Sequence, residues 1–365
     1  MLTLGCRLEK AVPGSPAGRT APSTAPVAMA WRRFVDSSRP SWSEPGPRPL
    51  TTVVWYPTDS AAAGDTIWLG PPNRHQFRSG VAAVGAPIRP GASKLPLIVL
   101  SHGTGGSALQ LMWLGQRLAS AGYIVAAVNH HGNTGAEPKY LPQGFVLWWE
   151  RAIDLSRVVD RMLADSVFGP RIDSASIGAA GFSLGGYTMI ELAGGRTDLT
   201  AFEKGCHAGP APALCEGPPE FPDLVHQLVA LEHDSTYLRS RAHAGDSYRD
   251  PRIKAVYAIA PALGVAFTPS GLAGISIPVS ISVGSADLIA PPSANAGWFA
   301  QQIRRARVYE VPGAGHYTFL SECTSAGIED LPLLCRDEAG ADRRRIHEEI
   351  SDSAAAFFRE ELRSH

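Results

Sequence analysis

The sequence predicts an α/β fold: a mostly parallel sheet with helices on both faces. Three observations lead there. From Thr51 onward, short apolar runs rich in β-branched residues alternate with longer stretches of helical spacing. The runs are continuously apolar, as strands buried on both faces are, and do not alternate with polar residues. The chain also has 365 residues, 44% of them hydrophobic, enough for one large domain or two small ones with a sizeable core.

Taken in order, "TTVVWYP" and "PLIVLSHG" read as strands. "ALQLMWLGQRLASAG" has helical spacing and ends in glycine, and "YIVAAVNH" is a short buried strand. "VLWWERAIDLSRVVDRMLAD" reads as one long helix, with Ile153, Val158, Val159 and Leu163 available to its buried face. "ASIGAAG" is a strand, and "LGGYTMIELAGG" a helix closed by Gly194 and Gly195. The strands "RIKAVYAIAP" and "PVSISVGS", the helix "SANAGWFAQQIRRA", the strand "RVYEVPG" and a final amphipathic helix "RRRIHEEISDSAAAFFREEL" complete the series.

Residues 1–30 are rich in Ala, Pro, Gly, Ser and Thr and are expected to be a disordered tail or linker, leaving residues 31–365 as the domain. No continuous apolar segment of the signal-peptide kind follows Met1, and neither Arg32-Arg33 nor Leu4-Gly5-Cys6 has the flanks a twin-arginine or lipoprotein signal needs. The longest apolar stretch, Ala255–Phe267, is too short to span a bilayer. A net charge of −1 gives no electrostatic reason to expect nucleic acid or an anionic membrane. Residues 196–250 break the rhythm: they are rich in Pro, Gly and His, with a helical stretch expected at Phe221–Leu238. An insertion there is expected to cap the carboxyl ends of the strands, where open α/β sheets bind ligands, an irregular surface excursion being the alternative.

Four of the five cysteines form two close pairs, Cys206/Cys215 and Cys323/Cys335. This spacing suits two disulfides and an oxidising, periplasmic or secreted, setting. The alternatives are reduced thiols in a cytoplasmic protein, or a zinc site from Cys206, His207 and Cys215, which lacks an obvious fourth ligand.

The chemistry concentrates at Gly181-Phe182-Ser183-Leu184-Gly185. Here a serine follows an apolar strand and opens a helix, the context a G-x-S-x-G elbow requires. Such a tight turn crowds neighbouring side chains, and the glycines relieve the crowding. An ordinary helix N-cap serine is the simpler reading. A nucleophile, however, needs a base and the base an orienting acid. Asp287 lies just past the strand "PVSISVGS" and His316 just past "RVYEVPG", in the chain order Ser, Asp, His expected of this fold. After "PLIVL", Ser101-His102-Gly103-Thr104-Gly105-Gly106 makes a glycine-rich turn able to aim the Thr104 amide at an oxyanion, with Leu184 N–H as second donor. His102, His130 and His131 compete for the base role. His130 and His131 end a strand, and with Trp148 they are candidate substrate-lining residues. The chemistry calls for no cofactor or metal, and the expected partner is a small-molecule ester.

These motifs resemble the α/β-hydrolase superfamily, and more narrowly the bacterial group related to dienelactone hydrolases and platelet-activating-factor acetylhydrolases. The residues carrying the resemblance are "VWYP" (Val54–Pro57), "LSHGTGG" (Leu100–Gly106), "NHHGNT" (Asn129–Thr134), "GFSLGG" (Gly181–Gly186), "GSADLIAPP" (Gly284–Pro292) and "GAGHYTFL" (Gly313–Leu320). It implies a serine esterase with Ser183, Asp287 and His316 as triad and Thr104 and Leu184 as oxyanion donors. True dienelactone hydrolases carry a cysteine nucleophile where this chain has Ser183, and no motif here reads an acyl chain or a choline. A thioester, amide or peptide hydrolase shares the triad, and a catalytically inactive binding module shares the fold. A Cys323–Cys335 bond is expected to anchor the His316 loop from its carboxyl side.

Overall fold

The computed structural model describes residues 26–60, 64–208 and 217–362. The amino-terminal half runs β1 (Val27–Pro40), β2 (Pro47–Pro57), β3 (Asp65–Leu69), β4 (Phe77–Val84), β5 (Leu95–Ser101), α1 (Met112–Ser120), β6 (Ile124–Val128), α2 (Pro142–Val146), α3 (Glu150–Ala164), β7 (Ile172–Phe182) and α4 (Leu184–Ala193). The second half runs α5 (Leu199–Ala208), α6 (Leu224–Leu228), α7 (Ser235–Ala242), β8 (Ile253–Ile259), α8 (Pro269–Leu272), β9 (Val279–Gly284), α9 (Ala296–Gln302), β10 (Ala306–Val311), β11 (Glu322–Cys323), α10 (Ser325–Asp330), α11 (Pro332–Cys335) and α12 (Arg343–Leu362).

The sheet order is β10-β9-β8-β7-β5-β6-β2-β1-β4-β11, with β3 paired to β4. The run from β10 to β6 is parallel, and β2 continues it antiparallel, then β1 antiparallel to β2. Successive strand residues point to opposite faces. Val54, Leu97 and Val99 pack with α3, α4 and α9, while Val53, Trp55, Ile98 and Leu100 pack with α1 and α12. Both faces are thus covered, and the expected fold class is the one observed.

Several elements differ from expectation. β1 begins at Val27, inside the stretch read as a tail, and it escaped notice because its residues alternate buried and exposed and carry Arg, Asp and Ser. β3, β4 and β11 also went unread, β3 and β11 being short and all three partly exposed. The long helix is broken: α2 ends at Val146 and α3 starts at Glu150. The buried face of α3 is also rotated, with Leu155, Val158, Val159 and Met162 inside together with the charged Arg151 and Asp154. Residues 196–250 hold α5, α6 and α7. Within the span expected to be helical, α6 and α7 are separated by a single 3-10 turn and a bend.

Candidate functional site

Ser183 lies between β7 and α4 with φ 56° and ψ −116°, in backbone space that a side chain rarely adopts. The surrounding glycines show why. A Cβ on Gly181 would sit 2.3 Å from the Gly185 carbonyl oxygen, and one on Gly185 would sit 2.0 Å from that of Ser101. One on Gly186 would be 2.7 Å from Pro261 Cα. The strained turn is held from both sides: Ser183 N–H donates to Ile259 O at the end of β8, and Tyr187 and Ala262 N–H donate to Ser183 O. Strain of this kind persists only where the surroundings over-determine it.

Three loops converge here. Ser183 Oγ donates to His316 Nε2 at 2.8 Å, and His316 Nδ1 donates to Asp287 Oδ2 at 2.7 Å. The other Asp287 oxygen accepts the amides of Ile289 and Ala290, so the carboxylate is fully engaged. All three residues are buried. The acid and histidine loops are packed backbone to backbone: Ala286 N–H donates to Ala314 O, and a Cβ on Gly284 would lie 2.1 Å from that oxygen. The histidine turn is held from α12 and α1, with His347 Nε2 donating to Thr318 O (2.9 Å) and Trp113 Nε1 to Phe319 O (3.2 Å). Burial depresses the His347 imidazole to about 4, so it stays neutral and accepts no charge from its neighbours.

Thr104 and Ser183 border one cavity of about 550 Å³. The amides of Gly105 and Gly106 are committed to Asn133 Oδ1 and Gly103 O. No acceptor meets the Thr104 or Leu184 N–H among the described residues. The cavity walls are mostly apolar, including Phe77, Leu320 and Leu331 to Leu334. Its polar lining includes Tyr140, Tyr317 and Glu220, whose Oε1 accepts from Tyr317 OH at 3.2 Å. Burial raises the Glu220 carboxyl above its ordinary range. Glu220 belongs to residues 196–250 and carried no motif; neither tyrosine was legible as a site residue.

The other singled-out residues lie elsewhere. His130, His131 and Trp148 do not line this cavity. His130 Nδ1 donates to Asp154 and its Nε2 accepts from Ser101 Oγ; burial and then Arg151 lower it to about 3. His102 Nδ1 donates to Gly103 O and its Nε2 accepts from His130 N–H. Burial and Arg151 hold it well below its usual value. His131 Nδ1 donates to Glu137, its Nε2 accepts from Trp42 N–H, and it borders a separate cavity of about 700 Å³. Every ring nitrogen of these three histidines is thus engaged within the protein. Trp148 is packed edge-on against Phe202 and bonds Phe145 O. Cys323 and Cys335 form a disulfide. Cys206 is buried in α5, and its expected partner Cys215 lies outside the described residues.

A strained serine elbow, a histidine and an aspartate on successive strand ends, and helices on both faces of this sheet define the α/β-hydrolase fold, which the chain has. A ferulic acid esterase from Streptomyces cinnamoneus shares it with a TM-score of 0.63 over 96% of this chain and 93% of that one, at 22% identity. Residues 54–144 match the family described as platelet-activating factor acetylhydrolase, isoform II, a segment that includes Thr104 and stops before Ser183. The chain is 34% identical to cutinase est2 of Thermobifida alba over 106 residues, 28% of this chain and 32% of that protein. It is 33% identical to lipase 1 of Moraxella sp. over 91 residues, a quarter of each chain. The chain thus spans about a third of the cutinase. No helix among the described residues is long and apolar enough to cross a membrane.

Proposed function

We propose that this chain is a serine carboxylic-ester hydrolase working through an acyl-enzyme on small or medium esters. The observation that carries this reading is the unbroken relay from Asp287 through His316 to a strained Ser183 at the floor of an apolar cavity. The names of the similar proteins, a cutinase, a lipase and a ferulic acid esterase, agree with ester hydrolysis.

In this reading His316 Nε2 takes the Ser183 proton as Oγ attacks the ester carbonyl. Asp287 holds the Nδ1 tautomer and stabilises the imidazolium. The Thr104 and Leu184 amides receive the oxyanion; removing one such donor typically costs about 3 kcal/mol of transition-state stabilisation. The imidazolium then protonates the leaving alcohol. A water, deprotonated by His316, repeats the sequence and frees the acid. The 196–250 insertion acts as a cap, a reading supported by Pro219 and Glu220 in the cavity wall. The Cys323–Cys335 bond supports export to an oxidising compartment.

The test is turnover of p-nitrophenyl acetate, butyrate and octanoate, with labelling by a fluorophosphonate. Label on Ser183 and a loss of several orders of magnitude in folded Ser183→Ala are expected. Labelling at another serine, or an active Ser183→Ala, overturns the assignment.

A further inference from the structure

The turn carrying Thr104 is held at both ends by one buried cation. Arg151, on the first turn of α3, is 1% exposed. Its Nη2 donates to the carbonyl of His102, the residue before the turn, and to Ser101 Oγ at 3.3 Å. Its Nη1 reaches Asn133 Oδ1 at 3.5 Å, and that same oxygen accepts the Gly105 amide at 2.7 Å. The residues immediately before and after the Gly103–Thr104 pair are therefore tied to a single guanidinium, directly on one side and through Asn133 on the other. Between the two ties stands Thr104, whose N–H has no acceptor among the described residues.

An ordinary core ion pair does not explain this placement. The nearby carboxylate of Asp154 is already saturated: Arg39 and Arg48 bond Oδ1, and Arg48 and His130 bond Oδ2. The oxygens that Arg151 bonds are a carbonyl, a hydroxyl and an amide, all neutral. A guanidinium presents donors in a rigid planar fork, so it can fix two separated acceptors at once where an ammonium fixes one point. Burial, with a smaller push from the charge of Arg48, lowers it to about 9 against the opposing charge of Asp154, which leaves it charged at neutral pH.

We infer that Arg151 is a positioning residue for the proposed ester hydrolysis: it fixes the Gly103–Gly105 turn from behind so that the Thr104 amide is presented to the cavity. The inference rests on the oxyanion role proposed for Thr104. It predicts a defect confined to transition-state stabilisation. Misplacing one oxyanion donor should lower kcat about 10–100-fold, bounded above by the roughly 100–1,000-fold loss when a donor is deleted. KM should change by less than twofold, and the pH profile set by His316 should stay in place, because neither the cavity walls nor the triad bonds involve Arg151.

The experiment compares wild type with Arg151→Met, Arg151→Lys and Arg151→Gln, the last two retaining a donor should Arg151→Met fail to fold. It measures kcat and KM on p-nitrophenyl butyrate, the pH profile, and hydrogen–deuterium exchange over residues 100–108. Expected are a kcat loss at constant KM, a smaller loss in Arg151→Lys, and faster exchange in this segment. A folded variant with wild-type kcat, or a loss matched by a rise in KM or a shifted pH profile, overturns the inference. The exchange measurement needs no activity: unchanged protection at 100–108 in a folded variant overturns it too. An inactive wild type, or an active Ser183→Ala, would sink the hydrolase reading alone.

Discussion

Removing the Cys323–Cys335 bond, by a double Cys323→Ser/Cys335→Ser replacement that leaves no lone thiol at either position, should loosen a wall of the cavity more than it disturbs His316, the proposed base. The bond closes a loop with a sequence separation of 12. In the chain-entropy description a loop of that size contributes about 3 kcal/mol. Unfolding entropy of about 2.1 cal/mol/K per residue, applied to 365 residues, converts this to a Tm loss of about 4 °C. Leu331 to Leu334, inside the closed loop, line the cavity. The sequence led us to expect the bond to anchor His316. The structure gives that turn its own ties, from His347 and Trp113, while Arg343 bonds Ser321 O and Leu334 O across the loop. The expected signature is therefore a KM increase of several-fold, larger for p-nitrophenyl octanoate than for acetate, with kcat nearly kept. Scanning calorimetry and steady-state kinetics decide it. A Tm within 1 °C of wild type, or a fall in kcat at unchanged KM, would refute the reasoning, as would free thiols at both positions in non-reduced peptides of exported protein.

Two further outcomes follow from the elbow and from a buried carboxyl. Gly185→Ala places a Cβ 2.0 Å from Ser101 O, where only backbone can give way, so it should cost at least the roughly 1–3 kcal/mol of an overpacked core and strip most esterase activity; a wild-type denaturation midpoint and kcat would contradict the crowding account. Glu191, 0% exposed, is raised from 4.5 to about 8 by burial, which outweighs the bonds from Thr197 and Tyr187. A raised acid keeps its proton in the folded state after the unfolded chain has lost it. Its contribution is thus fully present below about pH 4.5 and is lost as pH rises through about 8. Wild-type Tm should therefore fall more between pH 5 and pH 9 than that of Glu191→Gln; parallel Tm profiles would show that Glu191 is already ionised in the fold.

What could be read in advance, and what could not, divides by range of interaction. Ser183, Asp287 and His316 each follow an apolar strand, and the glycines around Ser183 record local crowding, so a window of ten residues contains the information. The structure brings the three together within hydrogen-bond reach. His130 and His131 stand at an equally suggestive strand end, yet their rings turn away to other partners: His130 to Asp154 on α3, and His131 to Glu137 and to Trp42 beyond β1. Arg151 and Asp154 read as the polar side of an amphipathic helix, because a charged pair three apart usually faces water. Asp154 is buried because Arg39 and Arg48 arrive from more than a hundred positions away, and Arg151 because His102, Ser101 and Asn133 offer it acceptors. Glu220 sits in a proline-rich insertion with no periodicity to read, and only its meeting with Tyr317 makes it part of the cavity.

The antiparallel strands β1 and β2, which looked peripheral to the chemistry, are tied to it through that buried chain. They deliver Arg39 and Arg48 to Asp154; Asp154 fixes the His130 ring; His130 accepts from Ser101 Oγ at the start of the Thr104 turn; and Arg151 closes the chain onto His102 and Asn133. The Arg48 guanidinium carbon lies 3.9 Å from the centre of the Trp42 ring, which is itself stacked on His131. Breaking a buried ion pair by removing one partner typically costs about 3–5 kcal/mol, because the other charge is left stranded. Removing Asp154 or Arg48 alone is therefore expected to destabilise the fold. In the proposed reaction the Thr104 amide must already be in place when charge develops on the carbonyl oxygen, since a donor that has to reorganise first stabilises the transition state less. In the proposed reaction the buried chain of Arg48, Asp154, His130 and Arg151 behind the turn would hold it there.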